Sequence, residues 1–109
     1  MGTGSQKSTG SRKAELQLES PATKWLVLLI NDDVTPFDWV EALLIRVFGH
    51  SSEKAKEITL NVHLKGVGLA GQYDTQEEAQ MRAQMTVQLS RSAGFPLQCR
   101  VAEGVPQER

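Results

Sequence analysis

The sequence predicts an α+β domain in the order β-α-α-β-α-β, with three helices packed on a small three-stranded antiparallel sheet. Three observations carry that expectation. The run from Trp25 to Ile30 is apolar without interruption and reads as a strand buried on both faces or central in a sheet. Thr35-Pro36, Ser51-Ser52 and Thr75-Gln76-Glu77-Glu78 each carry a helix-start signature ahead of helix-compatible residues. Two further segments, Val67 to Tyr73 and Leu97 to Val101, read as strands bounded by Gly or Pro.

The elements follow in order. Residues 1–23 are polar, rich in Gly and Ser and closed by Ser20-Pro21, so they are expected to be a flexible extension. Within it, residues 14–19 alternate apolar with polar and could order against a partner. Residues 24–103 form the domain and 104–109 a short tail. In the first helix Thr35 fits the N-cap, Pro36 the first helical position and Asp38 the first turn. Phe37, Val40, Leu44 and Val47 share one helical face, and Gly49 ends it. Ser51 or Ser52 caps the second helix, where Ala55, Ile58 and Val62 repeat at helical spacing up to the Lys65-Gly66 stop. Gly68 and Gly71 weaken or bulge the next strand. The third helix poses a conflict, because Ala79 to Leu89 alternates strictly between apolar and polar, as a strand would. Helix-forming composition, the capping box and Gly94 outweigh the alternation. A helix there carries two apolar stripes on nearly opposite faces, Ala79-Ala83-Val87 and Met81-Met85-Leu89, of which only one can pack on the sheet.

At 109 residues, one modest core is expected. Twelve Lys+Arg against thirteen Asp+Glu leave a net charge of −1, which argues against phosphate-backbone binding to nucleic acid. No apolar run nears the roughly 20 residues that span a bilayer, and no secretory h-region opens the chain. An intracellular protein is expected; the first thirteen residues, Ser/Thr/Lys/Arg-rich and free of acid, resemble a transit peptide but are short and Gly-interrupted, as a tail would be. The lone Cys99 excludes an intramolecular disulfide and reads as a small core residue.

The chemistry concentrates in Asn31-Asp32-Asp33, an amide and two carboxylates where a strand stops and a helix begins. Such residues commonly make a turn and a cap through bonds to nearby backbone. They could equally hold a cation that carries an apolar group. His63, near a helix C-terminus, could simply serve the last carbonyls. Phe37, Val40 and Val62 fit a core as readily as a pocket. A hydrolytic metal site of Asp32, Asp33, Asp38 and His63 is a further possibility, but no H-E-x-x-H, nucleophile elbow or phosphate-cradling glycine loop accompanies it.

Taken together, the apolar strand, Asn31-Asp32-Asp33-Val34-Thr35-Pro36, the apolar helix, Val62-His63, the Gly-containing strand and the P-L-x-C ending at Cys99 resemble the ClpS adaptor family over residues 24–102. The resemblance implies a non-enzymatic adaptor with no cofactor, no metal and no catalytic residue. It implies a monomer that binds N-degron substrates and passes them to a ClpA- or ClpC-type AAA+ unfoldase working with ClpP. It places Asn31, Asp32, Asp33 and His63 around the substrate α-amino group. There the ammonium's three donors meet charge-assisted acceptors, and His63 must be neutral where it accepts. It places Leu29, Ile30, Thr35, Phe37, Val40, Thr59, Val62 and Leu97 around a large first side chain (Phe, Tyr, Trp or Leu), the threonines contributing their methyl groups.

Two departures stand out. Phe37 and Thr59 replace residues that are often methionine in the family, which implies an altered ranking among large first residues. Gln76 and Met81 stand where the family often presents Glu and Lys to the unfoldase, which implies a more apolar contact. The resemblance also implies that the N-terminal extension is needed for delivery. An interaction domain of this fold without degron binding is the alternative.

Overall fold

β1 (Lys24–Ile30) is the middle strand of a three-stranded sheet. It pairs antiparallel on one side with β2 (Val67–Tyr73) and on the other with β3 (Gln98–Gly104). Its apolar run is explained by that position, although burial alternates: Val27 and Leu29 are fully buried while Leu26, Leu28 and Ile30 are half-buried. The computed structural model describes residues 23–105. The expected extension over residues 1–23 and the tail from 104 fall, apart from Thr23, Gly104 and Val105, outside the described residues.

Three helices pack on the sheet: α1 (Phe37–Arg46), α2 (Ser52–Lys65) and α3 (Gln76–Ser92), in the α+β order that the sequence predicts. α2 lies along β2, α3 crosses β1 and β3, and α1 packs on α2. The core sits between them, built on Val27, Leu29, Val40, Leu44, Ala55, Ile58, Val62, Ala70, Ala79 and Leu97. No helix among the described residues is long and apolar enough to cross a membrane.

Local chemistry explains the helix ends. Ser51 caps α2 by accepting from the Lys54 N–H at 3.1 Å, and Gly66 terminates it in the left-handed region at φ 87°. Thr75 caps α3, accepting from the Glu78 N–H at 3.2 Å. At α1 the sequence expectation is corrected. Pro36, not Thr35, occupies the cap position, with extended backbone, and the helix begins at Phe37. The Thr35 hydroxyl turns toward Asp32 instead, donating to its Oδ2 at 2.8 Å.

α3 settles the conflict between alternation and composition. Ala79 is fully buried and Ala83 and Val87 are half-buried, while Met81, Met85 and Leu89 are 47%, 38% and 43% exposed. Strict alternation places residues i and i+4 together whether the segment is strand or helix, so the pattern was compatible with both. β2 is bulged as its glycines suggest: the register with β1 slips between Val27 and Leu28, leaving Ala70 without a strand partner. His50 Nε2 engages the Ala70 carbonyl there. β3 begins after the expected start and ends beyond the expected end, at Gly104, because β1 offers pairing as far down as Lys24. Leu97 precedes the strand and is buried.

Candidate functional site

Asn31 and His63 are far apart in sequence, and one main-chain bond brings their segments together. The Asn31 N–H donates to the carbonyl of Gly66 at 3.0 Å, pinning the end of β1 to the C-terminus of α2. The loop that leaves β1 is then folded by Asp32. Its Oδ1 accepts from the N–H groups of Val34 (2.8 Å) and Thr35 (2.7 Å), and its Oδ2 accepts from the Thr35 hydroxyl. Desolvation pushes the Asp32 carboxyl up. The bonds from Thr35 and Val34, helped by the positive charge of Arg91, outweigh it and hold the pKa below the ordinary aspartate value. The turn reading and the site reading of Asp32 therefore coexist, since a carboxylate with about four acceptor positions keeps one beyond these three bonds.

Between this loop, α1 and α2 lies a pit. Asn31 and Asp32 form its polar rim, and Thr35, Phe37 and Val40 line the α1 side. Thr59 and Val62 come from α2, and Leu97 from the segment before β3. The walls are more apolar than the residue names suggest. The Thr59 hydroxyl donates to the Ala55 carbonyl at 2.7 Å and the Thr35 hydroxyl to Asp32, which leaves their methyl groups for the pit. The cavity measures about 10 Å³, room for about one water. Phe37, 48% exposed, leans edge-on against the His63 ring, with centroids 4.9 Å apart and planes at 66°.

Most of the residues expected at the site converge here, and four do not line the pit. Leu29 is fully buried in the core and Ile30 is half-buried; strand alternation carries the first beneath the pit and the second to the other face of the sheet. Asp33 is exposed. His63 is also exposed and reaches the site through Phe37. Gln76 opens α3 and is exposed, and Met81 heads the exposed stripe of that helix. Cys99 lies apart from the site. Burial pushes its thiol up to about 11 while its Sγ donates to the Ala83 carbonyl, so it is a poor nucleophile. Sequence reasoning missed Arg91, whose Nη1 donates to the carbonyls of Phe95 (3.1 Å) and Leu97 (3.0 Å). The available signal was an arginine in the last turn of a helix, where carbonyls need donors.

Among the described residues, no three or more His, Cys, Asp and Glu side chains are grouped to hold a metal. Fold and pit together define a small domain with an apolar recess that carries a polar rim. The model of the family "ATP-dependent Clp protease adaptor protein ClpS" matches residues 20–100. The chain is 44% identical over 89 residues to a ClpS from Oleidesulfovibrio alaskensis, covering 82% of this chain and 84% of that one. To a ClpS from Hyphomonas neptunium it is 42% identical over 98 residues, covering 90% and 79%. Its fold is similar to the structure of Agrobacterium tumefaciens ClpS2 bound to L-phenylalaninamide, with a TM-score of 0.70 and 27% identity over 77% of this chain and 99% of that one. The chain belongs to the ClpS family of N-degron adaptors, which act by binding rather than catalysis and interact with substrates and AAA+ unfoldases.

Proposed function

We propose that this adaptor recognises the first residue of its substrates, reading a free α-amino group together with a large apolar side chain (Phe, Tyr, Trp or Leu). The observation that carries the reading is the pit itself, where two threonines spend their hydroxyls elsewhere and leave hydrocarbon walls beneath an amide and a carboxylate. An ammonium with an apolar side chain matches that division. L-phenylalaninamide, bound by the Agrobacterium relative, has both parts: a free α-amino group and a benzyl group. Asn31 and Asp32 act as acceptors at the rim, with Asp33 and His63 completing the ammonium's partners as the loop and the Phe37–His63 pair adjust. Burying the side chain contributes roughly 1.5–3 kcal/mol. A charged first residue would be buried without a partner, and a small one would leave a void. Because the cavity is small and both residues line it, Phe37 and Thr59 set the ranking among the large residues.

Bound substrates pass to a ClpA- or ClpC-type unfoldase working with ClpP, in the cytoplasm, with the adaptor acting as a monomer. Gln76 and Met81 on α3 make the unfoldase contact, and the exposed Met85 and Leu89 extend its apolar character. A peptide beginning with Phe should bind, and its N-acetylated form should not, because acetylation removes the ammonium. Equal binding of the two, or binding of neither, would reject this reading in favour of an interaction domain without degron recognition. Deleting residues 1–23 should leave peptide affinity unchanged and abolish substrate delivery in a reconstituted degradation assay; undiminished degradation would contradict the role given to the extension.

A further inference from the structure

We infer that Arg91 is a positioning residue for the pit: by holding the carbonyls of Phe95 and Leu97 it sets how deep Leu97 sits, and so which first residue fits. The inference rests on the pit being the degron site. Residues 93–97 connect α3 to β3 without regular structure, and Pro96 within them has no N–H to contribute. Something else must hold this connection in place. The Phe95 N–H donates to the Ser90 carbonyl at 2.8 Å, and the Phe95 ring packs on Trp39 at 5.4 Å. Trp39 is itself anchored by its Nε1–H to the buried Ser90 hydroxyl at 3.1 Å. These contacts end at Phe95. Beyond it, the bonds from Arg91 Nη1 to the Phe95 and Leu97 carbonyls, one on each side of Pro96, carry the restraint on to Leu97.

The consequence follows from size. Leu97 is 1% exposed and closes the pit against Val40, Thr59 and Val62. In a recess of about 10 Å³, a small displacement of one leucine changes a large share of the space. Arg91 is exposed on α3, so its guanidinium is not needed to fill the core, and its bonds go to this connection alone among the contacts described for it. The same positive charge acts on Asp32 at the rim.

The test compares the full-length protein with Arg91→Met and Arg91→Lys, using peptides with free amino termini that begin with Phe, Trp or Leu. For Arg91→Met the ratio of Phe to Leu affinity should change by about tenfold, the scale of a methylene's worth of fit. Arg91→Lys keeps the charge but replaces the planar fork with a single ammonium, and should fall between the two. A folded Arg91→Met that weakens all three peptides by one common factor, or weakens none, overturns the inference. If Arg91→Met does not fold, Arg91→Lys decides, and a wild-type ratio overturns it. In the free proteins, the Leu97 methyl resonances of either folded variant should move while those of Leu43 and Leu44 stay. Unmoved Leu97 methyls overturn the inference without reference to any peptide. Failure of the wild-type protein to bind any free-amine peptide would instead count against the proposed function.

Discussion

Asp32→Ala should abolish measurable binding of a Phe-first peptide and lower the stability of the domain. Alanine removes the acceptor of three bonds at once, from the Val34 and Thr35 N–H groups and the Thr35 hydroxyl. Loss of bonds to an ionised group in a part-buried loop costs about 1–3 kcal/mol. The loop that carries the rim then loses its shape, and Thr35 is freed to turn its hydroxyl elsewhere. Asp32→Asn separates shape from charge. Its Oδ1 still accepts from both backbone N–H groups, so stability should fall less than in Asp32→Ala. The ammonium loses its ionised partner, and affinity should fall about 10- to 150-fold, the equivalent of one charge-assisted bond. Peptide titration and thermal unfolding of both variants check this. Wild-type affinity in Asp32→Ala would remove the carboxylate from the site.

Acid adds a second readout. The folded Asp32 carboxyl titrates below its ordinary value, so the stability it contributes is complete above the unfolded value of roughly 3.9. It is lost as pH falls through the lower folded value. Asp32→Asn never ionises, so it should flatten this part of the acid limb by lowering stability modestly at neutral pH while matching the wild type below the folded value.

Gly68→Ala should be the most damaging single methyl in the domain. A Cβ at Gly68 would stand 2.6 Å from Val62 Cγ2, with the Val62 nitrogen at 3.3 Å and the Ile58 carbonyl oxygen at 3.4 Å. Val62 cannot yield easily, because its β-branched side chain has one strongly preferred rotamer in a helix and is buried against the pit. Either α2 moves off β2 or Val62 is driven toward the recess. Overpacking of this kind costs about 1–3 kcal/mol. In a domain of this size each kcal/mol lowers Tm by about 4–8 °C. Peptide affinity should fall with it, since the displaced side chain is a wall of the pit. A variant with wild-type Tm and affinity would show that α2 and β2 are looser than the packing implies.

Gly68 illustrates what one dimension hides. As a glycine in a strand it signalled a weak or bulged strand, but not that Val62 would pack against it. The partner depends on how α2 lies along β2, a relation between segments that the order of residues does not encode directly. Arg91 was hidden for the same reason: its carbonyl partners lie in a connection with no periodicity to read. The resemblance placed Leu29 and Ile30 around the first side chain, but neither lines the pit: Leu29 is buried in the core and strand pleating turns Ile30 to the other face of the sheet. Thr35 was a sound N-cap by local rules, but the helix begins one residue later, after Pro36, and the Thr35 side chain folds back on Asp32.

The local signals were read directly because they concern neighbours along the chain. The apolar run of β1, the caps at Ser51 and Thr75, the stops at Gly66 and Gly94 and the two stripes of α3 all follow from backbone sterics and side-chain spacing. So did the family resemblance, carried by short runs of fixed order. Packing settled the rest. Which stripe of α3 is buried depended on which face met the sheet. Asp32 became a turn and a rim together because its loop is pinned to the end of α2 at Gly66. The pit exists only where that loop, α1, α2 and Leu97 meet, since its walls come from four segments and no one of them encloses a space.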